Sequence, residues 1–98
     1  MKDLHYDTGE KKSHFDKKAQ VSYFYTKEGK ILASTPYKNG LRHGDCKYFY
    51  PEGGLFSLQR YQAGLLHGTQ EYFYPDGSLK TKLEYDQGKL VGKVNIYR

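Results

Sequence analysis

One spacing dominates the sequence. Tyr37-Lys-Asn-Gly40-Leu-Arg-His-Gly44 recurs as Tyr61-Gln-Ala-Gly64-Leu-Leu-His-Gly68 and again as Tyr85-Asp-Gln-Gly88-Lys-Leu-Val-Gly92, so the interval from Tyr37 to Tyr61 equals that from Tyr61 to Tyr85. The segment behind the glycine pair keeps the same period: Tyr48-Phe49-Tyr50-Pro51-Glu52-Gly53 returns one interval later as Tyr72-Phe73-Tyr74-Pro75-Asp76-Gly77. A unit this short is one supersecondary element that cannot bury its own apolar face and is stable only against its neighbours. Tyr23-Phe24-Tyr25-Thr26-Lys27-Glu28-Gly29 reads as an earlier, irregular copy with one extra turn residue. Tyr6-Asp7-Thr8-Gly9 reads as the turn of a degenerate first unit, in which Phe15-Asp-Lys-Lys-Ala replaces the longer glycine loop. The expectation is a single repeat domain over residues 1–98, degenerate over 1–19 and periodic over 20–98.

Aromatic and β-branched residues alternate with polar ones inside each unit and are bounded by Gly, Pro, Asn and Asp, the pattern of strands joined by turns. Strands are expected near residues 3–6, 10–15, 20–25, 30–37, 45–50, 54–61, 69–74, 78–85 and 93–97, with no window of helical spacing to compete. The fold class that follows is all-β: a consecutive antiparallel meander forming an elongated, twisted single-layer sheet or a partly curled one. In the Pro-Glu-Gly53 and Pro-Asp-Gly77 links, Pro presets φ early in the turn and Gly accepts positive φ later. The longer links, with Gly40 and Gly44, Gly64 and Gly68, Gly88 and Gly92, are expected to bend the chain or let units stack where a Cβ would clash.

Period-two alternation assigns faces. Tyr23, Tyr25, Tyr48, Tyr50, Tyr72 and Tyr74 are expected to point one way, with Val94 and Ile96 as their last equivalents. Ile31, Leu55, Leu79 and Leu83 join them, and Tyr37, Tyr61 and Tyr85 stand near the bends. The opposite face is expected to carry Phe24, Phe49 and Phe73 in one row, together with Leu32, Phe56 and Leu58. An uncovered row of that kind marks an interaction surface, so Phe24, Phe49, Phe73, Phe56 and Leu58 are the candidate partner-binding residues. Composition bears on how such faces pack: aromatic residues are 16% of the chain, with 11 Tyr and 5 Phe, and hydrophobic residues only 37%. Tyrosine keeps a hydroxyl that needs water or a partner, which fits thin, half-exposed faces better than a deep core.

The string Tyr37-x-Asn39-Gly40-Leu41-Arg42-His43-Gly44, followed by Tyr48-Phe49-Tyr50-Pro51-Glu52-Gly53, resembles the MORN repeat, and more closely the bacterial MORN-variant repeats, over about residues 20–98. One branch of those repeats is labelled as the antitoxin of a toxin–antitoxin pair. The sequence departs from the family's usual second small residue after the glycine pair, since Asp45-Cys46 and Thr69-Gln70 follow Gly44 and Gly68. The resemblance implies an elongated antiparallel β array used for protein contacts or, in some relatives, lipid contacts, and it implies no catalytic residues.

Side-chain chemistry points the same way. His43 and His67 share one position in successive units, but the third has Val91 there, and a zinc site needs three or four protein ligands; a local hydrogen-bonding role is expected, and no metal or other cofactor. Glu52, Asp76 and Asp86 sit in turns, where acidic residues stabilise local backbone. Cys46 is the only cysteine, which excludes an internal disulfide, and alternation places it on the packed face as an inert thiol. No nucleophile has a supporting motif and the glycine pairs lack a phosphate-loop ending, so an enzyme is not expected. The net charge of +5 favours an acidic partner, without a nucleic-acid-binding motif to accompany it. The expected function is a non-catalytic protein-interaction or scaffolding module, its partner acidic or a cognate toxin; the alternative is peripheral binding of anionic lipid. Open sheet edges lead us to expect self-association, and the lack of an apolar signal core or transmembrane run leads us to expect a cytoplasmic protein.

Overall fold

The computed structural model describes residues 3–7 and 9–95, among which there are strands and turns and no helix. Ile96 and the end of the last expected strand lie outside the described residues, as does Thr8. In chain order the strands are β1 (Ser13–Asp16), β2 (Val21–Tyr25), β3 (Ile31–Lys38), β4 (Leu41–Arg42), β5 (Gly44–Phe49), β6 (Leu55–Gln62), β7 (Leu65–Leu66), β8 (Gly68–Phe73), β9 (Leu79–Asp86) and β10 (Lys89–Asn95). They form one unclosed antiparallel sheet in the order β1-β2-β3-β5-β6-β8-β9-β10, with short β4 hooked onto β3 and short β7 onto β6. This is the expected all-β meander. Its extents of 42 × 34 × 19 Å and radius of gyration of 14.8 Å exceed the roughly 13 Å of a compact chain of this length.

Two turn types alternate along the meander. At one end, Asn39-Gly40, Ala63-Gly64 and Gln87-Gly88 are two-residue loops in which both residues have positive φ, from 49° to 86°, the twist-matched geometry of tight hairpins. At the other end, Gly53 N–H donates to Tyr50 O at 2.9 Å and Tyr50 N–H to Gly54 O at 3.0 Å. The same pair of bonds joins Gly77 to Tyr74 and Tyr74 to Ser78, and Gly29 to Thr26 and Thr26 to Lys30. Thr26, Tyr50 and Tyr74 are spaced by the same repeat interval, so the early copy has no extra turn residue. Its aromatic triplet is displaced by one instead.

That displacement changes the faces. Phe24 pairs with Ala33 and Ala33 with Tyr48, which makes Phe24 the counterpart of Tyr48 and Tyr72, while Tyr23 pairs with Ser34 on the opposite face. The expected rows of Tyr23 with Tyr48, and of Phe24 with Phe49 and Phe73, are therefore corrected. One row instead crosses the sheet as Ser13, Phe24, Ala33, Tyr48, Ser57, Tyr72 and Thr81. Small and large residues alternate along it, so each ring covers the small side chains beside it.

The core follows from that alternation. Ser13, Ser22, Ala33, Thr35, Cys46, Ser57 and Gln70 are the buried residues among those described, and the register puts all of them on one face, called here the inner face. Ser22 pairs with Thr35 and Phe15 in the same ladder, which carries it to the inner side. Tyr48 and Tyr72, expected in the core, are its half-buried cover. Tyrosine rings also tie units together: Tyr6 Oη donates to Tyr25 O and Tyr50 Oη to Phe73 O, each at 2.7 Å.

Neighbouring units are joined by few ladder pairs. Only Ala33–Tyr48 and Ser34–Lys47 connect β3 to β5, and only Ser57–Tyr72 and Leu58–Glu71 connect β6 to β8. Beyond them the strands splay, and side chains take over. Gln70, wholly buried, accepts the Arg60 N–H on Oε1 and donates Nε2 to Arg60 O and Gly68 O at 3.2 Å. At the glycine end the tight turns stack: Gly64 N–H donates to Arg42 O and Gly88 N–H to Leu66 O, both at 2.8 Å. The histidines complete this second ladder. His43 Nδ1 accepts the Ala63 N–H at 3.3 Å, and His67 Nδ1 the Gln87 N–H at 3.2 Å. Each thus bonds the turn of the next unit, a structural role that the sequence reading placed within its own loop.

The edge at β1 is covered differently. Asp3 accepts from Phe15 N–H at 3.2 Å and pairs with Lys11 Nζ at 3.1 Å and His14 Nδ1 at 3.1 Å. His14 and Lys11 hold its carboxyl far below the usual carboxylate range, and a charge turned onto an edge strand discourages further pairing.

Burial of the inner face has a consequence in alkali. Desolvation raises the Cys46 thiol above its ordinary value of about 9.0 and likewise raises the Tyr48 phenol. An unfolded chain releases these protons at lower pH than the folded one, so the unfolded state gains as pH climbs past the ordinary thiol value. The urea midpoint should be level between about pH 7 and 8 and fall above about 9. Cys46→Ala should flatten the first part of that fall, and an unchanged alkaline slope in the variant would contradict the assignment to the thiol.

Candidate functional site

A bulge repeated in successive units builds an apolar groove. In the β2–β3, β5–β6 and β8–β9 pairings the register skips one residue, and the skipped residues are Leu32, Phe56 and Lys80, again spaced by the repeat interval. A bulge sets two successive side chains against one partner and turns the strand locally. Alternation alone places Leu32 and Phe56 on the face away from Tyr48. The bulge brings both to the inner side instead, where they join Ala33, Ser57, Tyr48 and Tyr72 around a groove of about 530 Å³. Phe56 lies 5.2 Å from the Tyr50 ring and 6.3 Å from the Tyr72 ring, centroid to centroid. Phe49, Pro51 and Gln59 complete the lining.

The next unit repeats the arrangement with different chemistry. Phe56, Tyr72, Phe73 and Thr81 frame a smaller depression in which Lys80 holds the bulge position. Its ammonium lies 5.7 Å from the Tyr74 ring centroid, within cation–π range. Along successive units the bulge residue thus runs from aliphatic to aromatic to cationic.

A polar string borders the groove at the glycine-turn end. Gln59 Nε2 donates to Tyr72 Oη at 3.2 Å, Tyr61 Oη donates to Gln59 Oε1 at 3.4 Å, and Arg42 Nη1 donates to Tyr61 Oη at 3.3 Å. The Arg42 guanidinium also lies 5.4 Å from the Tyr61 ring centroid, and its bond to Tyr61 pushes its pKa further up. Every donor in this string points from the cation toward the groove, an order that polarises the hydrogen bonds beyond it.

Of the residues singled out for partner binding, Phe56 and Phe49 line the groove and Phe73 the adjoining depression. Phe24 stands in the inner-face row, and both it and Phe56 are 41% exposed. Leu58 pairs with Lys47 and Glu71 on the outer face, away from the groove. Tyr48, Tyr72 and Leu32 are the groove residues that the sequence reading assigned elsewhere. The one available signal for Leu32 and Phe56 was that each stands at the same offset past its turn glycine, Gly29 or Gly53, where a bulge often follows such a turn.

The repeat residues divide by role. Gly40, Gly64 and Gly88 are the second residues of the tight turns, and Gly53 and Gly77 close the turns at the opposite end. Gly44 and Gly68 have φ of 98° and 86° where the chain leaves one hairpin for the next. Gly92 does not share that geometry: β10 stays paired with β9 through a bulge between Leu90 and Gly92. Tyr37, Tyr61 and Tyr85 lie on the inner face beside these turns, and Tyr37 meets Phe15 edge-on at 6.1 Å.

Among the described residues no group of His, Cys, Asp or Glu converges on a metal-sized site, and no helix is long and apolar enough to cross a membrane. Residues 42–63 and 66–87 each match the family model described as MORN repeat variant. No curated protein and no solved structure matches the chain.

Proposed function

We propose that this chain, which carries repeats of the MORN-variant family, is a non-catalytic protein-interaction module that works through the inner-face groove. Repeats of this family are interaction modules, so the open question is the surface used. The observation that carries the reading is the bulge: it spends an irregularity in successive units to leave Phe56 41% exposed beside half-buried Tyr48 and Tyr72. Exposed apolar residues gathered in one concavity are a docking site for a partner's side chains. A protein segment is the occupant we favour, because half-buried Gln59 stands among the rings, and its amide keeps a further donor and acceptor for a peptide backbone beyond its bonds to Tyr72 and Tyr61. A toxin surface with an acidic segment is one partner that fits.

Photo-crosslinking in the native cell tests it. With benzoylphenylalanine at position 56 the chain should form a discrete protein adduct, and with the same residue at position 58, on the outer face, it should not. Adducts from position 58 alone would overturn the assignment of the groove, and adducts to lipid from position 56 would replace the protein partner with a membrane surface.

A further inference from the structure

Charge on this sheet is sorted by face. The carboxylates in the described strands are Asp16, Asp45, Glu71, Glu84 and Asp86, and register places every one on the outer face. Asp45 pairs with Arg60, Glu71 with Lys82, and Glu84 with Thr69, all one step out of phase with the inner-face residues Cys46, Gln70 and Leu83. The inner strand face carries no carboxylate among the described residues. It does carry cations: Arg42 pairs with Tyr37, Lys93 with Leu83, and Lys80 occupies the bulge next to the groove. The outer-face cation Arg60 has carboxylates of its own, Glu71 at 3.1 Å and Asp45 at 3.8 Å. Arg42 is held by a tyrosine hydroxyl and ring instead, so its charge stays available to a ligand.

Resting on the groove as the working surface, we propose that its occupant is an extended acidic peptide. It seats an apolar side chain over Ser57 between Tyr48 and Phe56 and presents carboxylates to Arg42 on one flank and Lys80 on the other. Arg42 stands toward the glycine turns, at the far end of the string through Tyr61 and Gln59 to Tyr72. Lys80 stands toward the proline turns, beside Tyr74. A carboxylate accepting from Arg42 forms charge-assisted bonds on a face with no competing acid, and complementarity of this kind sets specificity and association rate more than total affinity. An apolar anchor between aromatic rings supplies the larger share of the binding energy.

Panning a library of short random peptides against the full chain, followed by fluorescence anisotropy on the recovered sequences, tests both levels. Recovered peptides should join a large apolar residue to Asp or Glu, and binding should weaken as salt is raised to about 0.5 M. Arg42→Gln and Lys80→Gln should each weaken binding about threefold to fivefold, the range of exposed charge pairs. Lys47→Gln, which removes the same charge from the outer face, should change it less than about twofold. Phe56→Ser should cost about tenfold or more. If Phe56→Ser has no effect, the groove reading itself falls. If Phe56→Ser abolishes binding but the charge variants match wild type, or the peptides are neutral or basic, the groove stands and the acidic partner is overturned. Recovery of no peptide, with binding to phosphatidylserine vesicles that needs Arg42 and Phe56, would overturn the peptide in favour of an anionic lipid.

Discussion

Gln70→Leu should lower the unfolding free energy by about 2–3 kcal/mol, the cost of stranding a buried backbone group, and the melting temperature by roughly 8–20 °C for a chain of this size. The side chain is 0% exposed, and its amide meets both the N–H and the C=O of Arg60. Arg60 O also accepts the His67 N–H at 3.0 Å, so the group that loses its partner is the Arg60 N–H, which faces the gap where β6 and β8 part after Leu58–Glu71. Leucine has nearly the volume of glutamine and none of its hydrogen bonds, so the variant isolates the polar loss from cavity formation. All buried side-chain nitrogen and oxygen atoms among the described residues are partnered.

The preceding unit meets the same splay with a different pair. One repeat interval earlier, position 60 is matched by Pro36 and position 70 by Cys46. Proline has no N–H to satisfy and is tolerated where a strand's donor faces no partner, so the buried residue opposite can be a thiol. Pro36 with Cys46, and Arg60 with Gln70, are two solutions to one backbone problem. A double-mutant cycle reads the coupling directly. Gln70→Cys alone should cost about as much as Gln70→Leu, whereas Arg60→Pro with Gln70→Cys should recover roughly half the loss or more. Calorimetric melting of the four chains decides it, and simple additivity of the two single changes would dissolve the coupling.

The limits of the sequence reading lie at these places. Turn chemistry was legible because Asn-Gly and Pro-x-Gly have strong local preferences, and alternating polarity was enough for the strands and the single sheet. Face assignment failed where alternation breaks. The residues skipped at Leu32, Phe56 and Lys80 reverse sides through bulges, which leave no mark in hydrophobic periodicity. The displaced triplet at Tyr23-Phe24-Tyr25 misled for a related reason: matching aromatic to aromatic hid the true phase, which the turn glycines Gly29, Gly53 and Gly77 carry. Sorting of the carboxylates to one face was present in the sequence, but it emerges only once each strand's phase is known. The charge total of +5 averages over an inner strand face with cations and no carboxylate and an outer one where cations and carboxylates pair.

Gly64→Val should be more damaging than the same change at a turn with open space around it, at about 2–4 kcal/mol. Its φ of 86° lies in the left-handed region, which costs a residue with a Cβ about 1–2 kcal/mol and is a severe outlier for a β-branched one. Crowding adds to that. A Cβ placed there would meet the Leu41 side chain at 3.5, 3.7 and 3.9 Å, so the valine methyls beyond it have no room unless Leu41 gives up its place over the turn. Overpacking of that kind typically costs about 1–3 kcal/mol. The turn also carries two contacts to the unit before it, Gly64 N–H to Arg42 O at 2.8 Å and Ala63 N–H to His43 Nδ1 at 3.3 Å, and both weaken if the backbone shifts. Gly77→Val is the control for conformation alone, because its φ is 91° but nothing stands within 4 Å of a Cβ; it should cost about 1–2 kcal/mol. Gly92→Ala controls for the repeat position: its φ is not in the left-handed region and its nearest neighbour, Glu84 Cβ, is at 3.5 Å. An alanine there should be neutral or stabilise by about 0.4–1 kcal/mol through the unfolded chain. Urea unfolding of the three variants should therefore rank Gly64→Val below Gly77→Val and both below Gly92→Ala. Equal losses at positions 64 and 77 would mean that the stacking of Leu41 on the turn contributes nothing to holding the units together.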